Sequence, residues 1–141
     1  MGYKPTSLLA PAQVTKFLAP RRQNLLYWAM ETTPRLKAGI FVRATIRRVQ
    51  VAGASAFVVR SGAEEAGSII LKVAKLDGTV LVLNQARNAK GELVWAQALG
   101  GWTGEARASD WCDKQVKFDP DLWILEIEDR EGRAFVDEPI V

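Results

Sequence analysis

The acidic side chains of residues 119–138 are those whose types and spacing best suit chemistry. This stretch holds eight carboxylates against two arginines. Glu126 and Glu128 are two residues apart, so on a β-strand they point to the same face and lie close together. Such a pair works as general acid and base where its surroundings separate the two pKa values. Glu126 and Glu128 are therefore candidate site residues, with charge pairing to nearby arginines as the structural alternative.

Carboxylates also supply the oxygen ligands that divalent cations prefer. The sequence lacks, however, the Asp-x-Asp-x-Asp-Gly loop with a closing glutamate that is typical of a calcium site. Asp119 and Asp121 flank a proline and are typical of a turn. We expect no metal ion and no cofactor, and favour charge pairing or a partner surface for all five carboxylates. They are Asp119, Asp121, Glu126, Glu128 and Asp129.

Basic side chains cluster at the other end of the sequence. Residues 35–48 hold five bases and no acid. Arg43 and Arg47 are one helical turn apart, so together with Arg60 they could clamp an anion. Pairing with the acidic stretch is the structural alternative. Residues 1–29 hold four bases and no acid, which leaves 15 bases against all 16 acids in residues 30–141. That balance makes nucleic-acid binding an unfavoured third interpretation.

Missing residue types exclude several classes of protein. The chain has no histidine, which removes Ser-His and Cys-His nucleophile pairs and histidine metal sites. Cys112 is the only cysteine, so no intramolecular disulfide is possible and a reducing cytoplasm is favoured. We interpret Cys112 as a small buried apolar residue rather than a nucleophile. No apolar run approaches the roughly 18 residues of a membrane span.

A tryptophan in a glycine-rich segment is the candidate interface residue. Trp102 lies within Gly100–Gly104, where no core position is evident. An exposed tryptophan is a good anchor for a protein partner. The alternative is that its ring folds back over the sheet.

These residues require an α+β domain to position them. The apolar spacing predicts a helix over residues 35–52 and a shorter one over 105–117. Alternating and β-branched segments predict strands, and Asp77-Gly78 predicts a two-residue hairpin turn. We expect the order α-β-β-β-β-α-β-β, a mainly antiparallel sheet, and both helices on one face. The predicted strands are 56–60, 68–76, 79–84, 92–98, 122–128 and 133–136.

Residues 1–34 are predicted to be an N-terminal extension to a single domain over residues 35–141. Four prolines interrupt each helical start in the extension. It is interpreted as a disordered tail or as the product of a mis-assigned gene start, with translation beginning at Met30. A docked helix or a targeting role is the remaining alternative.

Several segments resemble the domain-of-unknown-function 1491 family, small proteins from alphaproteobacteria. The similarity spans roughly residues 33–139, and family members begin close to where Met30 lies here. The resemblance implies a compact cytoplasmic α+β domain, and it carries no activity and no catalytic residues. The segments are Arg35-Leu-Lys-Ala-Gly-Ile-Phe-Val-Arg-Ala, Val58-Val-Arg-Ser-Gly, Ala66-Gly-Ser-Ile-Ile-Leu-Lys-Val and Phe118-Asp-Pro-Asp-Leu-Trp-Ile-Leu-Glu-Ile-Glu-Asp-Arg-Glu-Gly-Arg.

The leading hypothesis is a small cytoplasmic, non-enzymatic adaptor that binds a protein partner or a second copy of itself, with Trp102 as its anchor. The alternative is a small-molecule or anion-binding protein, or a small enzyme. Its site would combine Glu126 and Glu128 with Arg43, Arg47 or Arg60. Nucleic-acid binding is third, and no membrane contact is expected.

Overall fold

Two helices and five strands make up residues 37–141, the part of the chain that the computed structural model describes. The predicted α+β class is confirmed, and the predicted order is observed up to the fifth strand. The predictions made for residues 1–34 lie outside the described residues. The elements are α1 (Ala38–Val51), β1 (Ser55–Arg60), β2 (Ile69–Ala74), β3 (Thr79–Arg87), β4 (Leu93–Gly104), α2 (Glu105–Phe118) and β5 (Trp123–Glu128).

The five strands form one mixed sheet in the order β1-β5-β2-β3-β4. Strand β5 inserts between β1 and β2, pairing antiparallel with β1 and parallel with β2. The β2–β3 and β3–β4 pairs are antiparallel hairpins. The turn at Asp77-Gly78 is one residue longer than predicted, because Leu76 also takes a positive φ of 69° and Lys75 bonds to Thr79 across it.

Both faces of the sheet are covered, which corrects the prediction that the two helices share one face. Leu71, Leu83 and Leu125 point to the face on which α1 packs, here called the α1 face. Ile70, Val82 and Ile124 point to the opposite face, which α2 covers. The physical reason is that β2 is buried on both sides, with Lys72 as its one charged residue, so each side needs its own cover.

The predicted strand over residues 133–136 is absent from the described residues, and this prediction was wrong. A hairpin partner for β5 needs a free edge beside it, but β1 and β2 already occupy both sides of β5. The chain instead crosses the α1 face, where Ala134 and Val136 pack on the core. It ends beside β4, with a parallel bridge between Trp95 and Ile140.

Candidate functional site at the edge of strand β1

The two edges of the sheet differ in whether another segment pairs with them. The β4 edge is paired with residues 139–141 of the same chain. The Trp95 backbone N–H donates to the Pro139 carbonyl at 2.8 Å, and the Val141 N–H donates to the Trp95 carbonyl at 2.9 Å. The Gln97 N–H donates to the Val141 carbonyl at 3.1 Å. The indole N–H of Trp95 adds a bond to Glu138 at 3.0 Å. Residues 139–141 thus act as a short added strand.

The β1 edge has no such cover among residues 37–141. Its backbone bonds run to β5, and no other described segment bonds to its outer side. Three consecutive apolar side chains are exposed there: Phe57 by 44%, Val58 by 38% and Val59 by 50%. Natural edges are usually protected by lysine, proline or bulges. This strand has only a bulge between Val58 and Arg60, which leaves Ser55–Val58 in regular register.

Helix α1 lies on the α1 face beside this edge and carries three exposed arginines. The helix packs on β1 and β5. Phe41 stacks on Trp95 of β4 with ring centroids 5.9 Å apart, so the flank of α1 that carries Phe41 faces the β4 side of the sheet. At 100° per residue, Arg43 and Gln50 lie on the opposite flank, and Arg47 points away from the buried stripe of the helix, toward solvent.

The arginines of α1 differ in how they are paired. Arg43 donates to Glu64 at 2.8 Å, a hydrogen bond that raises the pKa of Arg43 and lowers that of Glu64. Arg48 donates to the Phe135 carbonyl at 2.7 Å and lies 3.3 Å from Asp137. Arg47 is exposed and makes no ion pair within the described chain. Pairing between α1 and the acidic C-terminal stretch therefore runs through Arg48, not through Arg43 or Arg47.

The opposite face beside β1 is acidic. Glu126 lies directly across from Phe57, and Glu128 across from Ser55, so these side chains share the face that carries α2. Helix α2 packs on β3 and β4, at the other end of that face. Phe57 is consequently exposed next to two carboxylates.

Glu126 has a partner that sequence reasoning missed. Lys72 of β2 is 7% exposed in its side chain and lies 3.4 Å from Glu126 and 2.9 Å from Glu105 of α2. The hydroxyl of Ser109 donates to Glu105 at 2.7 Å. The signal in the sequence was a lysine within a run of apolar strand residues, because a buried lysine needs a carboxylate partner. This contact gives Glu126 a structural role.

Arg60 holds the loop that precedes β5. Its Nη2 donates to the Pro120 carbonyl at 3.0 Å, and its Nε is buried without a hydrogen-bond partner in the described part of the chain. Arg60 therefore lies at one end of the β1 edge. Among the predicted site residues, Arg60 lies on β1, Glu126 and Glu128 lie on the neighbouring strand β5, and Arg43 and Arg47 lie on α1.

Trp102 lies elsewhere, on β4, four strand spacings or roughly 19 Å from β1. It is 39% exposed, and Lys75 Nζ lies 4.6 Å from its ring centroid. Gly132 approaches its ring so closely that an added Cβ would come within 2.8 Å. The ring thus folds back over the turn that follows β5. Its role as a partner anchor stays a prediction.

The remaining chemical candidates are structural. Cys112 is buried in α2, and burial raises its pKa to about 11, so the thiol is neutral at physiological pH. Residues 37–141 gather no group of three or more acidic or cysteine side chains that could hold a metal ion. None of the described helices is both long and apolar enough to cross a membrane.

Comparisons with known proteins give a family and no activity. A family model described as protein of unknown function, DUF1491, matches residues 36–137. A crystal structure of a DUF1491 family protein from Caulobacter crescentus CB15 is 37% identical with a TM-score of 0.71, covering 76% of this chain and 100% of that one. An NMR structure from the same organism is 37% identical with a TM-score of 0.67, covering 75% and 96%.

A third relative comes from another bacterium. The solution structure of protein Atu0922 from A. tumefaciens is 32% identical with a TM-score of 0.62, covering 76% of this chain and 99% of that one. No curated protein matches this chain.

Proposed function

The chain belongs to the DUF1491 family of proteins of unknown function, and we propose that it is a protein-interaction domain that binds an extended segment of a partner along strand β1. In this mode the partner adds a strand to the sheet, and main-chain hydrogen bonds supply the affinity. The function is non-enzymatic.

The contrast between the two sheet edges carries this proposal. Three backbone hydrogen bonds from Pro139 and Val141 occupy the β4 edge. The β1 edge presents Phe57, Val58 and Val59 without a pairing segment among the described residues. An exposed apolar edge is a template for pairing with another chain. The pairing of residues 139–141 with the β4 edge supports the same mode of binding for a partner at the β1 edge.

The size of the edge indicates a transient complex. Four residues in regular register, Ser55–Val58, offer only a few main-chain hydrogen bonds. Each contributes about 0.5–1.5 kcal/mol net. Covering Phe57 adds about 1–2 kcal/mol, because the ring is already half-buried. A modest affinity that responds to single substitutions is therefore expected.

A shallow cleft supports a second candidate function, small-molecule binding. It has a volume of about 190 Å³ between α2 and the sheet, with Trp111 as one wall and the side chains of Asn84, Gln115 and Asp119 around it. It is smaller than the roughly 300–1,000 Å³ usual for ligand pockets. Its lining includes none of the charged residues proposed from the sequence for a small-molecule site, which are Glu126, Glu128, Arg43, Arg47 and Arg60. This function therefore ranks second.

The proposed place of action is the cytoplasm. The single cysteine is buried and offers no disulfide, as is usual in reducing compartments. Nucleic acid is not the proposed partner, since the β1 edge carries carboxylates on one side.

The test compares two exposed phenylalanines in the full chain. Phe57→Lys places a charge on the β1 edge, and Phe118→Lys places the same charge at the end of α2, where the side chain is 84% exposed. Tagged proteins are used for affinity capture from a lysate of the native organism. We expect a partner that is captured by the wild type and by Phe118→Lys but lost with Phe57→Lys. Equal capture by all three would contradict the proposal.

A further inference from the structure

The cleft between α2 and the sheet combines apolar side chains, an aromatic ring and a single carboxylate in its lining. We infer that it binds a short alkyl amine in the ammonium form. The inferred site is separate from the β1 edge, and it gives the second candidate function its ligand chemistry.

The size and the apolar part of the cleft suit a short carbon chain. The cleft has a volume of about 190 Å³. Liquid water takes about 30 Å³ per molecule, so the cleft has room for roughly six non-hydrogen atoms. Ile70 and Leu122 are buried side chains of its lining, and they offer apolar contact to carbon atoms. A small molecule with a carbon chain therefore fits this space better than a bare ion.

The lining of the cleft carries negative charge and no cation. Asp119 is the one charged side chain among the described residues that line it. Asp119 directly follows α2, and the last carbonyl groups of a helix carry partial negative charge. Lys117 of the last helical turn and Arg60, which bonds to the Pro120 carbonyl, are not part of the lining. The carboxylate and the helix end thus both favour a positively charged ligand.

Oxygen atoms in the lining are available to an ammonium group. Oδ1 of Asp119 accepts from the Asp121 backbone N–H at 3.0 Å, and Oδ2 accepts no hydrogen bond within residues 37–141. The side-chain oxygens of Asn84 and Gln115 accept none within the same residues, although the Asn84 amide donates to the Gln85 carbonyl at 3.4 Å. An alkyl ammonium group has three N–H donors and no acceptor. It therefore matches a lining that offers oxygen acceptors.

Trp111 adds a preference for a cation over a neutral molecule of the same shape. Its side chain is half-buried, and it lies one helical turn before Gln115, on the same face of α2. Tryptophan is the aromatic side chain that attracts an ammonium group most strongly. A neutral alcohol would keep the apolar contact with the ring but lose this attraction. Selectivity for an amine over the matching alcohol is therefore the expected property of the site.

Three small probes test this chemistry with the full-length protein: n-butylammonium, 1-butanol and butyrate. Binding is followed by NMR titration, which reports on backbone amides and on the side-chain NH₂ groups of Asn84 and Gln115. We expect n-butylammonium to bind at least roughly fivefold more tightly than either other probe. It should also shift the side-chain resonances of Asn84 and Gln115. Equal binding of the three probes, or no binding of n-butylammonium, would overturn the inferred ligand.

A charge-removing substitution provides the matched variant. Asp119→Asn keeps an oxygen that can accept from the Asp121 N–H, so the turn is retained while the charge is lost. It should weaken amine binding at least roughly fivefold and leave 1-butanol binding unchanged. Asp113→Asn, at an exposed aspartate of α2 outside the lining, should bind the amine as the wild type does. An equal loss in both variants would contradict a role for Asp119.

Phe57→Lys separates this site from the β1 edge. The variant should bind n-butylammonium with unchanged affinity, because Phe57 is not part of the lining of the cleft. Loss of amine binding in Phe57→Lys would place the amine outside the cleft and overturn the inferred site. Capture of a protein partner through β1 is measured separately, so failure of either site leaves the other intact.

Discussion

Lys72 of β2 lies directly opposite Glu126 of the parallel strand β5, with Nζ 3.4 Å from the carboxylate. The same ammonium group reaches Glu105 at the start of α2, 2.9 Å away. This single buried cation thus ties the centre of the sheet both to the neighbouring strand and to the helix.

Lys72→Met should destabilise the domain by about 3 kcal/mol, because it leaves the partly buried Glu126 without its cation. The double variant Lys72→Met/Glu126→Leu should recover much of that loss, since a buried ion pair can be replaced by apolar side chains at little cost. Urea denaturation measures both. Lys114→Met, an exposed lysine of α2, is the control and should change the free energy of unfolding by less than about 0.5 kcal/mol. A loss of that small size for Lys72→Met would refute the structural role of this ion pair.

Alkaline pH should weaken the same cluster. Burial lowers the pKa of Lys72, but the hydrogen bond with Glu105 and the charge of Glu126 more than offset this, and the pKa is raised above its usual 10.5. A raised folded-state pKa gives stability that is fully present below about pH 10.5 and is lost as pH rises through the folded value. Thermal unfolding between pH 8 and 12 should show a decline in wild type that is smaller in Lys72→Met. Parallel curves would count against this linkage.

Asp129 should control stability in acid. It accepts hydrogen bonds from the Arg133 backbone N–H at 2.8 Å and from its guanidinium at 2.9 Å, and the guanidinium holds the pKa of Asp129 at about 2. A depressed folded-state pKa gives stability that is present above about pH 4 and is lost as pH falls toward 2. Asp129→Asn should cost about 2 kcal/mol at pH 7 and flatten the acid limb of the stability profile. The exposed Glu131→Gln is the control, and an equal effect of both substitutions would contradict this assignment.

Two glycines with positive φ allow the stability cost of backbone strain to be distinguished from the cost of side-chain crowding. Gly132 (φ 72°) would place a Cβ 2.8 Å from the Trp102 ring and 3.0 Å from Lys75, whereas Gly91 (φ 81°) has nothing within 4 Å. Gly91→Ala should cost about 1–2 kcal/mol from strain alone, and Gly132→Ala should cost at least about 1 kcal/mol more. Adding Trp102→Ala to Gly132→Ala should remove the extra loss. Denaturant melts that show equal losses for both glycines would mean that Trp102 does not clamp this turn.

Local elements were predictable from the sequence, because local spacing determines them. The apolar stripe that includes Val42 and Val49 gave helix α1, and both residues are buried. Asp77-Gly78 located the β2–β3 hairpin. The layering was wrong because tight hairpins were taken to indicate an antiparallel sheet with its helices on one face, whereas β2 is buried on both sides.

The order of the strands in the sheet was not predictable, because it depends on which strands pair with each other over long distances in the sequence. Nothing local in Trp123–Glu128 says that it pairs in parallel with β2. Without that pairing, neither the contact between Lys72 and Glu126 nor the exposed position of β1 at an edge follows. The roles of the charged candidate residues stay predictions, and their positions relative to the β1 edge follow only from the strand order.

The most direct test of the central claim is photo-crosslinking from the β1 edge. Benzoylphenylalanine is incorporated at position 57 of the full chain, and at position 118 as the matched control, and crosslinked peptides from native lysate are read by mass spectrometry. We expect an adduct from position 57 alone, on an extended segment of a partner. Adducts that form equally from both positions, or none from position 57, would contradict this claim.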